Sequence, residues 1–150
     1  MNHTPTVRLA TPADAEQVTK LLREFFSHEG RVVPHLDQNV NAILDNPGRG
    51  FFTDAEGHGV ASTTIRISAG GGPSAEIEEV WVQPSARGRG LGGRLLRTAV
   101  AECRRRGIES IELRVTPDDR ELGIPDFYTK QGFDVGTGVL IARYRAARVE

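Results

Sequence analysis

In residues 80–96 the β-branched and aromatic run Val80-Trp81-Val82-Gln83 meets Pro84 and passes through Ser85-Ala86-Arg87-Gly88-Arg89-Gly90. It then becomes the apolar-periodic segment Leu91-Gly92-Gly93-Arg94-Leu95-Leu96. A strand must end at the proline, turn through glycines and enter a helix. Glycine lets a backbone approach a ligand closely, and the first N–H groups of a helix have no partner within it. With the helix dipole behind them, those groups form a site for an anion, typically a phosphate.

The flanking segments supply the rest of one domain. Thr6 to Ala10 reads as a first strand. Thr11-Pro12-Ala13-Asp14 offers an N-cap, a proline at the first helical position and an acidic first turn. Ala15, Val18, Leu22, Phe25 and Phe26 recur at helical spacing, which predicts a helix to about Glu29. A second helix is expected from Leu36 to Leu44, before Asn46-Pro47-Gly48. Two runs, Gly50 to Thr53 and Val60 to Ile67, flank a polar turn and predict a hairpin. Gly70-Gly71-Gly72-Pro73 divides that pair from a strand over Ala75 to Val82.

The helix after the glycines should run from Leu91 to about Arg106, where Gly107 stops it. A strand over Ser110 to Thr116, a short helix over Pro125 to Gln131 and one or two strands within Phe133 to Tyr144 complete the order. The strand–helix–strand unit from Ala75 to Thr116 is expected to be parallel and right-handed, and the earlier strands antiparallel. The expected fold class is therefore α/β, with a mixed, mostly antiparallel central sheet, a parallel β-α-β unit and helices on both faces. Residues 1–150 are expected to form a single domain.

A chain of 150 residues with 38% apolar content can bury a core without disulfides or metals. The single Cys103 excludes an intrachain disulfide and a cysteine-based zinc site, and its spacing from Leu96, Ala99 and Val100 marks it as a core residue. A formal net charge of −1 gives no global attraction to nucleic acid. No run approaches the roughly 20 apolar residues of a membrane span. Met1-Asn2-His3-Thr4-Pro5 lacks a basic region followed by an apolar stretch, so no signal peptide is expected. These features predict a cytoplasmic protein with no metal, membrane or nucleic-acid partner.

A P-loop would need Gly-Lys-Ser/Thr, but Gly92-Gly93 is followed by Arg94-Leu95. Gly88, Gly90 and Gly93 satisfy the dinucleotide fingerprint literally. That fingerprint normally follows a continuously apolar strand through a tight turn. Here Glu76, Glu78 and Glu79 lie in the strand, and six residues counting Gly88 separate it from Val82. The 57 residues after Gly93 are also expected to be too few for a second nucleotide half and a substrate domain.

Arg87-Gly88-Arg89-Gly90-Leu91-Gly92 resembles the Arg/Gln-x-x-Gly-x-Gly/Ala segment of the GCN5-related N-acetyltransferase family. Val80-Trp81-Val82-Gln83-Pro84 is similar to the strand ending that precedes it there, and Phe127-Tyr128-Thr129-Lys130-Gln131-Gly132-Phe133 resembles the family's Phe-Tyr-x-x-x-Gly-Phe. Both motifs occur in the family's order, and the element order matches over nearly the whole chain. The resemblance implies the acyl-CoA N-acyltransferase fold, with acetyl-CoA as co-substrate. Transfer of its acetyl group to a primary amine would proceed by direct attack in a ternary complex. It assigns the backbone amides of Arg87, Gly88, Arg89, Gly90, Leu91 and Gly92 to the pyrophosphate, and the backbone near Trp81 and Val82 to the pantetheine and thioester. Trp81 as a side chain is expected in the core. A bulky residue at Gly90 or Gly92 is expected to weaken coenzyme binding by crowding the backbone.

Acyl transfer from a thioester to an amine needs a neutral amine, a polarised carbonyl and a proton for the departing thiolate. Tyr128 resembles the family's tyrosine that protonates the thiolate. For the base, period-two alternation puts Glu76, Glu78, Val80 and Val82 on one face and Glu79 and Trp81 on the other. Glu78 ranks first, being nearer the coenzyme end, and Glu76 second; their closeness would raise one pKa. Where many relatives carry Asn this chain has Glu121, so that coenzyme contact does not transfer. In the fold that the resemblance implies, acceptor groups come from the first two helices, their loop and the C-terminal strands. Here these are His28, Glu29, His35, Asp37 and Asn41 and residues near Gly136 and Tyr144, expected with Glu76 and Glu78 to make a faintly acidic rim. That rim suggests a small cationic amine such as a metabolite or antibiotic; a protein lysine or N-terminus is the alternative. A non-catalytic acetyl-CoA sensor is the rival from another class. Relatives are often dimers, so a homodimer is compatible with the resemblance.

Overall fold

The computed structural model describes residues 6–114, 124–135 and 141–144. Among them lie seven strands: β1 (Val7–Leu9), β2 (Arg49–Asp54), β3 (Gly59–Ser68), β4 (Gly72–Val82), β5 (Ser110–Arg114), β6 (Phe133–Val135) and β7 (Ile141–Tyr144). The helices are α1 (Ala15–His28), α2 (Leu36–Leu44), α3 (Leu91–Arg105) and α4 (Ile124–Lys130). The strands form one sheet in the order β1-β2-β3-β4-β5-β7-β6, in which only β4 and β5 pair in parallel.

The capping signal before α1 acts as the sequence suggests, but through a tighter turn. Pro12–Asp14 forms a 3-10 turn with Thr11 as its N-cap, and the Thr11 amide donates to the Asp14 carboxylate at 2.8 Å. Arg8 clamps the same carboxylate at 2.7 and 2.8 Å and holds its pKa down to about 2. The expected break at Gly70-Gly71-Gly72 is instead the turn of a second hairpin. β4 therefore starts at Gly72, three residues before the expected Ala75, and pairs with β3 from Ser68↔Gly72 to Gly59↔Val82.

Alternation along the strands divides the core in two. On one face α3 contributes Leu91, Leu95, Leu96, Ala99, Val100 and Cys103, which pack with Phe52, Ala61, Ala75, Ile77, Ile111 and Leu113. On the other, Val18, Leu21, Leu22 and Phe26 of α1 and Leu36 and Val40 of α2 pack with Phe51, Val60 and Trp81. Helices thus cover both faces, as the amphipathic spacings require. Gly59 permits the close approach of α3: a Cβ there would lie 2.9 Å from Leu95 Cδ1 and 3.1 Å from the Trp81 carbonyl oxygen.

Candidate functional site

Among the described residues the parallel pair spans four residues, from Ser74↔Ser110 to Ile77↔Leu113, while β4 runs on to Val82. Past Ile77 the edge of β4 that faced β5 has no strand partner among the described residues. Such an edge presents backbone donors and acceptors that a ligand can pair with. Gln83 N–H donates to the His58 carbonyl on the β3 side at 2.8 Å, so the neighbouring Val82 carbonyl points to the opposite edge, the one on the β5 side.

The chain leaves this edge through a 3-10 turn, Pro84–Ala86, and reaches Gly88 and Gly90 at φ +81° and +80°. Gly90 is the N-cap of α3, and its carbonyl accepts from Arg94 N–H at 3.1 Å. The N–H groups of Leu91, Gly92 and Gly93 therefore lie before the first intrahelical bond. Among the described residues nothing lies within 4 Å of where a Cβ would stand on Gly88 or Gly90. A residue at Gly90 would also have to adopt the left-handed φ of +80°, a strain that adds to the expected crowding of a bound coenzyme. A Cβ on Gly92 would lie 3.4 Å from Phe127 Cζ and 3.8 Å from Val82 Cγ2, which brings β4, α3 and α4 together at one point. These amides form a donor set that fits a diphosphate, and Arg87 and Arg89 precede them in the turn.

The second motif is tied to the first. Arg97 of α3 donates to Gln131 Oε1 just after α4 at 2.7 Å. Phe127 and Tyr128 are half-buried against the α3-side core with Val80 and Val82, and the Tyr128 ring meets Phe133 edge-on at 6.3 Å. Cys103 is buried near the far end of α3, about 18 Å along the helix from Leu91 at 1.5 Å per residue.

The carboxylates of β4 depart from simple alternation. Register shifts between Ala61 and Thr63, so that Glu78 and Glu79 together oppose Ser62. The extra residue is a β-bulge, and it turns adjacent side chains to the same side. Glu76, Glu78, Glu79 and Trp81 therefore share the α1/α2 face, while Val80 and Val82 join the α3-side core. This corrects the expectation that Glu76 and Glu78 share a face with the valines and oppose Glu79.

On that face Glu76 pairs with Arg66 at 2.8 Å. Glu78 pairs with Arg49 at 3.0 Å and accepts from Thr64 Oγ1 at 2.5 Å. Glu79 is held by Ser62, whose hydroxyl donates to its carboxylate and accepts from its amide at 3.0 Å. Burial pushes the Glu79 carboxyl above its ordinary range, the Ser62 hydrogen bond opposes that shift, and the neighbouring Glu78 charge adds to it. Sequence reasoning passed over Glu79; the adjacent Glu78-Glu79 pair within an apolar strand was the available sign of a bulge.

Of the expected acceptor rim, His28 reaches the site, its ring 5.3 Å from Trp81 with Phe25 at 6.0 Å on the same indole. Gln83 ties the end of β4 to α1 through Glu24 at 2.9 and 3.0 Å. His35 is the left-handed N-cap of α2, Asp37 lies in its first turn and Asn41 in its body, while Glu29 caps the end of α1. Trp81 is 8% exposed, a core residue as expected. Glu121, Gly136 and the Tyr144 side chain lie outside the described residues. Among the described residues no group of three or more His, Cys, Asp or Glu could hold a metal, and no helix is long and apolar enough to cross a membrane.

Comparison with known proteins bears on this arrangement. Residues 15–133 match the acetyltransferase (GNAT) family. An uncharacterized N-acetyltransferase of Methanocaldococcus jannaschii is 38% identical over 60 residues, covering 40% of this chain and 26% of the relative. A probable glucosamine 6-phosphate N-acetyltransferase of Oryza sativa subsp. japonica is 40% identical over 75 residues, covering 50% of this chain and 42% of the relative. The chain thus spans less than half the length of these curated relatives. Among solved structures, a protein of Arthrobacter sp. FB24 superposes with a TM-score of 0.77 at 26% identity, over 100% of this chain and 99% of that one. An aminoglycoside acetyltransferase from an uncultured soil metagenomic sample has a TM-score of 0.75 at 15% identity, over 97% and 96% of the chains, a likeness of fold alone.

Proposed function

Since the chain belongs to the acetyltransferase (GNAT) family, we propose that it transfers an acetyl group from acetyl-CoA to the primary amine of a small molecule. The observation that carries this reading is the edge of β4 that has no strand partner past Ile77 among the described residues, leading into the Gly88–Gly90 turn and the amide-rich start of α3. The backbone N–H groups of the turn and first helical residues would hold the pyrophosphate, and the edge near Trp81 and Val82 the pantetheine arm. Acetyl-CoA bound there supplies an activated acyl carbonyl.

Glu79 is the base that best fits the amine. Its raised pKa favours taking up a proton, whereas Glu76 and Glu78 are engaged by Arg66 and Arg49. Glu78 and Glu76 remain the second and third assignments. The amine nitrogen attacks the carbonyl carbon, the C–N bond forms as the C–S bond breaks, and the amine proton passes to the carboxylate. Tyr128 gives its phenolic proton to the departing thiolate as the C–S bond breaks. Cys103, the chain's single cysteine, is buried away from the glycine turn, which supports direct attack over a cysteine-bound acyl intermediate.

The acceptor is a small amine with a ring or apolar body. His28 and Phe25 pack on the Trp81 indole, on the face of the sheet that carries Glu79, and the names of the rice relative and of the metagenomic structure point to amino sugars. A screen of amino sugars, aminoglycosides, polyamines, amino acids and lysine peptides, read by thiol release from acetyl-CoA, tests the reading. Release with an amino sugar or aminoglycoside is expected. Thiol release with lysine peptides alone would replace that acceptor class, and no release with any amine would favour a coenzyme-binding sensor.

A further inference from the structure

The Arg87 side chain does not lie along the glycine turn with its backbone. It folds back over the end of β4, where Nε donates to the Val82 carbonyl at 2.9 Å and the guanidinium sits 4.7 Å from the centroid of the Trp81 ring. That carbonyl lies on the β5-side edge of β4, the backbone proposed above to hold the pantetheine arm, and the inference rests on that assignment. A charge-assisted hydrogen bond and a cation–π contact together hold an otherwise exposed side chain in one place.

We propose that Arg87 is a displaceable strap. In the free protein it closes the end of the β4 edge, and the coenzyme must evict it before the arm can pair with Val82. The released guanidinium lies one residue from Gly88 and is then available to the diphosphate. Binding is thereby split into two opposed contributions from one residue: a cost at the pantetheine end and a gain at the phosphate end. A ligand with the arm but no phosphates suffers only the cost. Its apparent affinity is lowered by the fraction of molecules in which the strap is open.

The test uses the chain's single tryptophan, Trp81, on which the strap lies. Its buried indole N–H has no acceptor among the described residues, so its emission reports what packs against the ring. Wild type, Arg87→Met and Arg87→Gln are compared as full chains by tryptophan emission and by calorimetry with coenzyme A and with S-acetylpantetheine. Thermal melts verify that each variant is folded. Both variants are expected to show in the free state the emission that wild type reaches only on adding coenzyme A. Both should bind S-acetylpantetheine about fivefold more tightly than wild type, the scale of one exposed cation–π contact, while their affinity for coenzyme A does not improve. Unchanged emission, with S-acetylpantetheine affinity equal in all three proteins, overturns the strap and leaves the acetyltransferase reading standing if wild type binds coenzyme A. If wild type binds no coenzyme A, both fall.

Discussion

Glu79 combines two properties a base requires: a carboxyl that burial makes reluctant to ionise, and a fixed orientation against Ser62. Because it must be ionised to accept a proton, kcat/KM should fall as pH drops through its pKa. Burial puts that acidic limb above the ordinary glutamate value of about 4.3. Glu79→Gln should lower kcat by about 100-fold, on the scale of general-base catalysis, and remove the limb, whereas Glu78→Gln should keep it. A pH–rate profile decides this, and a limb retained in Glu79→Gln would move the role elsewhere. The same shift has a consequence for stability. A carboxyl whose folded pKa is raised contributes stability that is complete below its unfolded pKa and is lost as pH rises through the folded value. Glu79→Gln should therefore gain in denaturation midpoint against wild type at pH 8 and not at pH 4. Tyr128→Phe, in contrast, should lower kcat more than it weakens coenzyme binding, since the phenol is needed when the C–S bond breaks. Equal losses in kcat and in affinity would reassign Tyr128 to packing.

Elements were legible where one physical signal dominated. The spacing of Leu91, Leu95, Leu96, Ala99, Val100 and Cys103 predicted α3, and all six are buried on one side of the sheet. The start of the first helix was readable from Thr11 and Asp14, whose side chains make the cap. The bulge in β4 was not, because period-two reasoning assumes an unbroken ladder, and an extra residue reverses every assignment beyond it. Two carboxylates expected opposite each other across the strand are thus side by side, and the candidate base changes from Glu78 to Glu79. At the element scale the backbone of the glycine turn is the next thing to test. Gly90→Ala forces an L-residue to φ +80°, at a cost of about 1–2 kcal/mol. Its methyl group meets nothing within 4 Å among the described residues and stands where the diphosphate is proposed to bind. The variant should fold with a modestly lowered Tm and bind coenzyme A more weakly. Gly59→Ala should lower Tm by a different route: its Cβ presses on Leu95 and on the fixed Trp81 carbonyl, an overpacking cost of about 1–3 kcal/mol.

Across the whole molecule the sheet separates two cores, and the two proposed substrates divide along the same plane. The glycine turn, Val82 and Tyr128 lie with the α3-side core; Glu79, Trp81 and His28 lie with the α1/α2 side. Hydrophobic periodicity made both faces readable, but it could not say which face each glutamate joins. Leu21 and Leu95 are each fully buried, one in each core. Truncating either to Ala should cost about 2–5 kcal/mol through lost burial and an unfilled cavity, so a denaturation midpoint alone cannot tell them apart. Substrate binding can. Leu21 supports α1, whose Glu24, Phe25 and His28 brace the end of β4 from the acceptor side. Leu95 supports the helix whose first turn faces the phosphates. Leu21→Ala should therefore raise KM for the amine more than Kd for coenzyme A, and Leu95→Ala should do the reverse. Both are measured well below the Tm of each variant, so that only folded protein is compared. If the two variants weaken both substrates equally, the sheet transmits strain between its faces and the division fails. If they separate, the coenzyme and the acceptor are held by independently supported halves of one domain.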